Sequence, residues 1–322
     1  MGKALCIGIN YYENINRLEG CVKDAESVAA ALNYNDDGSV NIQTKLLCAK
    51  DMYSAISTSA MRNAIKELFK GDPDIALLYY SGHGAVNAVG GYLCSSETEE
   101  IEDGLSLDEI MKIAGKSEAR NKIIILDSCH SGAIGSISEM KNYSLLPSGT
   151  IILAACGEKE YAIEKGGHGV FTSLLLQALK GGAMDILGQV TPGSIYSYVD
   201  QSLGEWDQRP VFKANIKNFV CLRKCIPSIT TQELLPIVRL FENPSYEYPL
   251  DPTYEHDKNY TDNKEVNEEH EAIFELLRKY FKLNLVVPVD EEYMYWAAVR
   301  SKACKLTAKG QHYWLRIAKG FL

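Results

Sequence analysis

The sequence predicts a three-layer α/β domain on a mainly parallel sheet, followed by a small C-terminal α+β module. Three observations lead there. Continuous apolar runs of strand length occur at residues 4–9, 75–80, 123–126 and 150–155. Stretches with apolar residues at helical spacing separate them, and the composition changes after about Pro227. Strands that stay apolar on both faces and alternate with helices belong to parallel sheets covered on both sides. At 322 residues the chain can hold one large domain or two smaller ones.

Each element follows from its own residues. Residues 4–9 read as a buried strand. Residues 21–32 read as a helix because Val22, Ala25, Val28, Ala29 and Leu32 recur on one face. Residues 59–69 read as a second helix. The run 75–80 passes directly into Ser81-Gly82-His83-Gly84, and residues 107–114 form a short helix. The β-branched run 123–126 ends in Asp127-Ser128-Cys129-His130, and a strand over 150–155 precedes a helix over 170–179. Ligands of such sheets bind beyond the carboxyl ends of the strands. The His83 and Cys129 loops both follow apolar strands, so they are expected to share one edge.

The expected domains are 1–226, an extended linker or wrapping segment over 227–265, and a winged-helix-like module over 266–322. The middle segment holds Pro236, Pro244, Pro249 and Pro252, with four tyrosines between Tyr246 and Tyr260. Residues 268–280 form an amphipathic helix. Residues 308–319 form another, with Thr307 as N-cap and Gly310 counting against it.

Composition removes several classes of function. Hydrophobic residues make up 46% and charged residues 23%, an ordinary globular balance. No apolar run approaches the ~20 residues of a membrane span, and the N-terminus lacks the layout of a secretory signal. Met1-Gly2 looks like a myristoylation start, but Cys6 stands where Ser or Thr is needed. No membrane partner is expected. A net charge of −9 disfavours nonspecific nucleic-acid binding. The nine cysteines are scattered and include no Cys-x-x-Cys pair, so no zinc site is implied and a reducing cytoplasm is expected. A single cysteine in a special setting is then a candidate nucleophile.

A thiol attacks as thiolate, which needs a nearby base. Cys129 on a strand-end turn and His83 on a glycine-flanked loop supply that pair. Gly84 lets a backbone N–H approach a carbonyl closely, and with the Cys129 amide it makes a candidate oxyanion hole. His130 is read as a neighbour and Cys21 as packing. Asp127 as a turn residue and Asp24 as a helix-dipole partner remain alternatives to any binding role.

Tyr79-Tyr80-Ser81-Gly82-His83-Gly84 and Asp127-Ser128-Cys129-His130-Ser131-Gly132 resemble the His and Cys motifs of metacaspases and their bacterial relatives. Leu18-Glu19-Gly20-Cys21-Val22-Lys23-Asp24-Ala25, Gly167-His168-Gly169-Val170-Phe171-Thr172 and Arg209-Pro210-Val211-Phe212 resemble further segments, in the same order, over about residues 1–224. His83 and Cys129 are 46 residues apart, near the roughly 50 of caspases, whose Gln-Ala-Cys-x-Gly signature is absent.

The resemblance implies a caspase-like fold and a Cys–His endopeptidase, a regulated bacterial effector or signalling protease. It also implies an acidic pocket matching Asp24 and Asp127 that takes Arg or Lys before the cut. The family's calcium site uses several Asp at fixed spacing. Glu97, Glu99, Glu100, Glu102 and Asp103 have another composition and spacing, so no metal or other cofactor is expected. Lys141 is the candidate self-cleavage site, with Lys159 and Lys165 as rivals. Two other functions stand beside the protease: a catalytically silent scaffold, and a DNA-binding regulator acting through the C-terminal module. Residues 293–322 carry +6 but residues 227–292 carry −9, a balance that favours a regulatory protein partner.

Overall fold

The computed structural model describes residues 2–87, 90–128, 136–137, 140–144, 146–155, 164–165, 168–204, 209–217, 219–255 and 267–322. They fall into two compact units, Met1–Ile226 and Pro227–Leu322.

In the first unit the elements follow the apolar pattern closely. They run β1 (Gly2–Ile9), α1 (Cys21–Asn33), β2 (Ile42–Ala49), α2 (Thr58–Leu68), β3 (Ile75–Ser81), α3 (Leu107–Gly115), β4 (Asn121–Asp127), β5 (Thr150–Ala154), α4 (Val170–Gln177), α5 (Pro192–Ser202) and β6 (Val211–Asn215), with several two- and three-residue strands between. The central sheet has the order β2-β1-β3-β4-β5-β6. All pairs are parallel except β5 with β6.

Alternate strand residues feed two cores, which is why the strands read as unbroken apolar runs. Ala4, Cys6, Leu77, Tyr79 and Ile123 pack with Ala25, Val28 and Leu175, placing α1 and α4 on one face. Leu5, Ile7, Leu78, Tyr80 and Ile124 pack with Met61, Ile65 and Ile110, placing α2 and α3 on the other. The structure is thus the three-layer α/β domain the sequence predicts. From β1 the chain steps outward to β2, then returns past β1 to β3. The direction reverses between β1 and β3, and a crevice opens beyond the carboxyl ends of strands at such a switch point.

Close approach of β1 to α1 requires Gly8, where a Cβ would sit 2.4 Å from the Cys21 carbonyl oxygen. Gly20, at the N-cap of α1, supplies no side-chain cap. Asn10, at the end of β1, does the work from outside the helix: its Oδ1 accepts the Val22 N–H at 3.0 Å while its Nδ2 donates to the Glu19 carbonyl at 2.9 Å.

The second unit is α+β. A three-stranded antiparallel sheet in the order β7 (Glu247–Pro249), β9 (Ala303–Leu306), β8 (Val286–Val289) packs with α6 (Glu268–Lys282), α7 (Met294–Val299) and α8 (Ala308–Ala318). These elements do not by themselves make a winged helix. Of residues 227–265, expected to be an extended linker or wrapping segment, the described part carries short helices at Thr231–Leu234 and Ile237–Leu240. Leu234, Ile237, Phe241 and Leu250 are buried. A reciprocal cap starts this stretch, with Thr230 and Glu233 each bonding the other's backbone, a Thr-x-x-Glu pattern with known helix-starting force. Thr307 caps α8 by accepting the Gly310 N–H at 3.0 Å. Gly310 is there because a Cβ would come within 1.9 Å of the Leu285 carbonyl oxygen. Among the described residues no helix is long and apolar enough to cross a membrane.

Candidate active site

Strands β3 and β4 run side by side and end together: Ser81 is the register partner of Asp127. The Gly82 N–H reaches the Asp127 carbonyl at 3.4 Å. The His83 loop therefore leaves the sheet beside the strand end that runs on to Ser128 and Cys129. Cys129 itself, expected as nucleophile and oxyanion donor, lies outside the described residues, as does His130.

His83 is gripped at three kinds of atom. Its backbone N–H donates to the Tyr12 phenol at 2.8 Å. Its carbonyl accepts from the Tyr80 hydroxyl at 2.8 Å and from the Cys94 N–H at 3.0 Å. Its ring Nε2 lies 2.7 Å from the Asn16 carbonyl oxygen. A carbonyl only accepts, so Nε2 carries the proton and Nδ1 is left as the basic nitrogen of the neutral ring. The Tyr12 and His83 rings are 4.8 Å apart at 56°, within the range of an aromatic pair. Burial pushes both phenols far above their ordinary range, so they stay neutral. Gly82 makes this packing possible: a Cβ there would lie 2.6 Å and 2.7 Å from the Tyr80 and Tyr12 hydroxyl oxygens. Gly84 opens the short strand Gly84–Val86, paired with Gly91–Leu93.

Asp24 and Asp127 converge on Gly169 from different elements. Asp24, in the first turn of α1, is only 1% exposed, and its Oδ2 accepts the Gly169 N–H at 3.2 Å. Asp127, 6% exposed, accepts from the Thr172 hydroxyl at 2.6 Å. The Tyr79 and Thr172 hydroxyl oxygens are also 2.6 Å apart. Because the Thr172 proton goes to the carboxylate, the Tyr79 hydroxyl is the donor to Thr172. Burial, followed by the charges of Asp127 and Asp24, raises the Tyr79 phenol well above its usual range. A Cβ on Gly169 would fall 2.3 Å from an Asp127 carboxylate oxygen. Two carboxylates thus sit in one buried corner at the carboxyl edge of the sheet. Burying such charges costs several kcal/mol each unless cations or donors offset it.

The remaining candidates lie elsewhere. Lys141 falls on the short strand Met140–Ser144 and Lys165 on Glu164–Lys165, whereas Lys159 is outside the described residues. The acidic loop is used locally: Glu97 accepts the Thr58 N–H at 2.9 Å at the start of α2, and Asp103 accepts the Glu100 N–H at 2.8 Å. Cys6, Cys48, Cys221, Cys225 and Cys304 are free thiols pushed up chiefly by burial, Cys304 to about 12, which makes them poor nucleophiles.

Tyr12, Asn16, Gly82, Tyr79, Gly169 and Thr172 were not singled out by sequence reasoning. For Tyr79, Gly82, Gly169 and Thr172 a signal existed, since they stand in the Tyr79–Gly84 and Gly167–Thr172 stretches that resemble other family members.

The chain belongs to the caspase domain family, which it matches over residues 1–220. Metacaspase-7 of Arabidopsis thaliana is 30% identical over 151 residues, 43% of this chain and 36% of that protein. Metacaspase-1 of Candida albicans is 31% identical over 150 residues, 41% of this chain and 33% of that one. Metacaspase-1 of Debaryomyces hansenii is 28% identical over 148 residues, 40% of this chain and 32% of that one. The matched stretch therefore spans about a third of each relative's length. A Geobacter sulfurreducens protein of solved structure shares the fold, with a TM-score of 0.52 at 21% identity over 71% of this chain and 98% of that one.

Proposed function

We propose that the chain is a cysteine endopeptidase in which His83 serves Cys129 and cleavage follows Arg or Lys. The observation that carries this reading is the shared strand end, with the oriented imidazole leaving beside Ser81 and its register partner Asp127 two positions before Cys129. Nδ1 of His83 takes the thiol proton, and the sulfur attacks the peptide carbonyl carbon. The amides of Gly84 and Cys129 hold the oxyanion, an effect worth about 3 kcal/mol per donor in a related setting. The carbon–nitrogen bond breaks as Nδ1–H protonates the leaving amine. Water, giving a proton to Nδ1, then cleaves the thioester and restores the thiol.

Specificity follows from charge. Asp24 and Asp127 suit a guanidinium or ammonium through charge-assisted hydrogen bonds, while a substrate Asp would meet two like charges. The mechanism assigns no role to calcium or another cofactor. Free thiols suit a reducing compartment such as the cytoplasm, and by analogy with bacterial relatives the enzyme acts in a regulated signalling or effector role.

Fluorogenic peptides ending in Arg, Lys or Asp, offered to the wild type and to Cys129→Ala, test the reading. Turnover of Arg and Lys peptides by the wild type alone is expected. Equal signal from both proteins, or preference for Asp, rejects it. We assign the C-terminal unit to a regulatory protein partner, an assignment that fails if removing residues 227–322 leaves activity, activation and substrate choice unchanged. Self-cleavage after Lys141 would appear as two fragments by intact mass and vanish in Lys141→Ala.

A further inference from the structure

We infer that Tyr12 is a positioning residue for His83, holding the imidazole that the proposed mechanism depends on. Tyr12 is 1% exposed and lies in the segment between β1 and α1, far in sequence from the His83 loop. Its phenol oxygen accepts the His83 backbone N–H, and its ring faces the imidazole at 4.8 Å. The Tyr12 and Tyr80 hydroxyls are also hydrogen-bonded to each other. The single Tyr80 hydroxyl proton lies within reach of the carbonyls of both His83 and Cys94, at 2.8 Å and 2.7 Å. His83 N–H, Tyr12, Tyr80 and the His83 carbonyl thus form one connected set. It clamps both backbone polar groups of the residue whose ring must not wander.

The same segment delivers Asn16, whose carbonyl fixes the protonated ring nitrogen. Tyr12 and Asn16 therefore restrain backbone and ring from one piece of chain. That piece is itself tied down. Glu13 N–H donates to the Ser96 carbonyl at 2.8 Å and Leu18 N–H to the Asn10 carbonyl at 3.0 Å. Removing the Tyr12 hydroxyl leaves the part-buried His83 N–H without its acceptor and frees the loop to shift. Displacements near 1 Å at a reacting group can cost up to about a hundredfold in rate.

The test keeps the ring and removes the hydroxyl. Alkylation of Cys129 by iodoacetamide is followed at neutral pH in wild type, Tyr12→Phe, His83→Ala and the double variant, with His83 ring-carbon NMR shifts recorded where the imidazole remains. Tyr12→Phe should slow alkylation about tenfold and add nothing on top of His83→Ala. The His83 shifts should move from the Nε2–H tautomer toward an averaged value. Equal slowing in both backgrounds, or unchanged ring shifts, overturns the inference. If His83→Ala leaves alkylation unaltered, the Cys–His reading fails, and the ring shifts alone then decide the role of Tyr12. Should Tyr12→Phe not fold, Tyr80→Phe must move the ring shifts in the same direction; unchanged shifts there overturn the inference too.

Discussion

Strand β4 buries a charged or chargeable side chain at each end, and the two are supported differently. At the amino end Lys122, 6% exposed, donates from Nζ to the carbonyls of Ala119 at 3.1 Å and Ser117 at 3.5 Å, both within a few residues along the chain. Burial lowers its pKa. At the carboxyl end Asp127 is bonded by Thr172 and lies against Gly169, with Asp24 and Tyr79 beside it. These partners come from α1, β3 and the start of α4. A local arrangement stabilises one strand. An arrangement recruited from four parts of the chain is held in place by the whole fold, and it is there that the caspase-family motifs gather.

The sharpest way to break this contrast is to remove the proposed base. His83→Ala should lower kcat on an Arg peptide by about 10⁶ while the fold persists, a loss of the size seen when the histidine of a serine-protease triad is removed. Retained turnover would place the chemistry away from this edge. Next in size is the carboxylate corner. Asp127→Asn should cut kcat/KM for the Arg peptide by roughly a hundredfold, the loss typical of a buried charge pair losing one partner. Thr172→Val, which leaves Tyr79 and Asp127 each short of one hydrogen bond, should destabilise the protein by about 1–3 kcal/mol as read by denaturant unfolding.

At the other end of the strand Lys122→Met should leave peptidase kinetics unchanged and alter stability by no more than about 1 kcal/mol, because a long apolar chain fills the same space without a buried amine. The sign with pH follows from the direction of the shift. The folded pKa lies below the unfolded one, so the unfolded state binds the proton more tightly. The associated penalty shrinks as pH rises between the two values, and Lys122→Met should flatten that alkaline rise.

The smallest effect is expected in the C-terminal unit. Lys279, followed by the backbone and hydroxyl of Thr230, holds the Glu233 carboxyl down at about 2. A depressed carboxyl stabilises the fold above its ordinary 4.5 and loses that contribution as pH falls toward about 2. Glu233→Gln should remove this part of the acid dependence in a thermal unfolding series.

How much of this was legible beforehand depends on the range of the interactions. The ends of β3 and β4, and with them the start of the His83 loop beside Asp127, followed from where two apolar runs stop at polar residues. The start of α8 was equally visible, because a cap is a local event at Thr307. Roles created by distant contacts were invisible. Tyr12 looks like an ordinary aromatic, and the motif holding Tyr79 and Gly82 does not say what they touch, until the folded chain sets Thr172 against Tyr79 and two hydroxyl oxygens against Gly82. The helices over 231–240 were a different case. Their Thr230-x-x-Glu233 signature is local and visible in the sequence, but the extended expectation rested on the prolines and tyrosines alone. Gly310 was judged by propensity alone, whereas the Leu285 carbonyl explains its presence.

The segment joining β1 to α1 supports two pieces of machinery at once. Within residues 10–20 it restrains the imidazole, and at its far end it launches the helix that carries Asp24. Its length is thus a shared setting: a one-residue insertion between Asn10 and Gly20 would shift the His83 ring and the Asp24 carboxylate, the base and the specificity group proposed above, together. The hairpin tip at Gly38, with open space around it and φ of 80°, could absorb the same insertion silently. Loops of one domain can therefore differ widely in how much lengthening they tolerate, and this one behaves as a calibrated spacer.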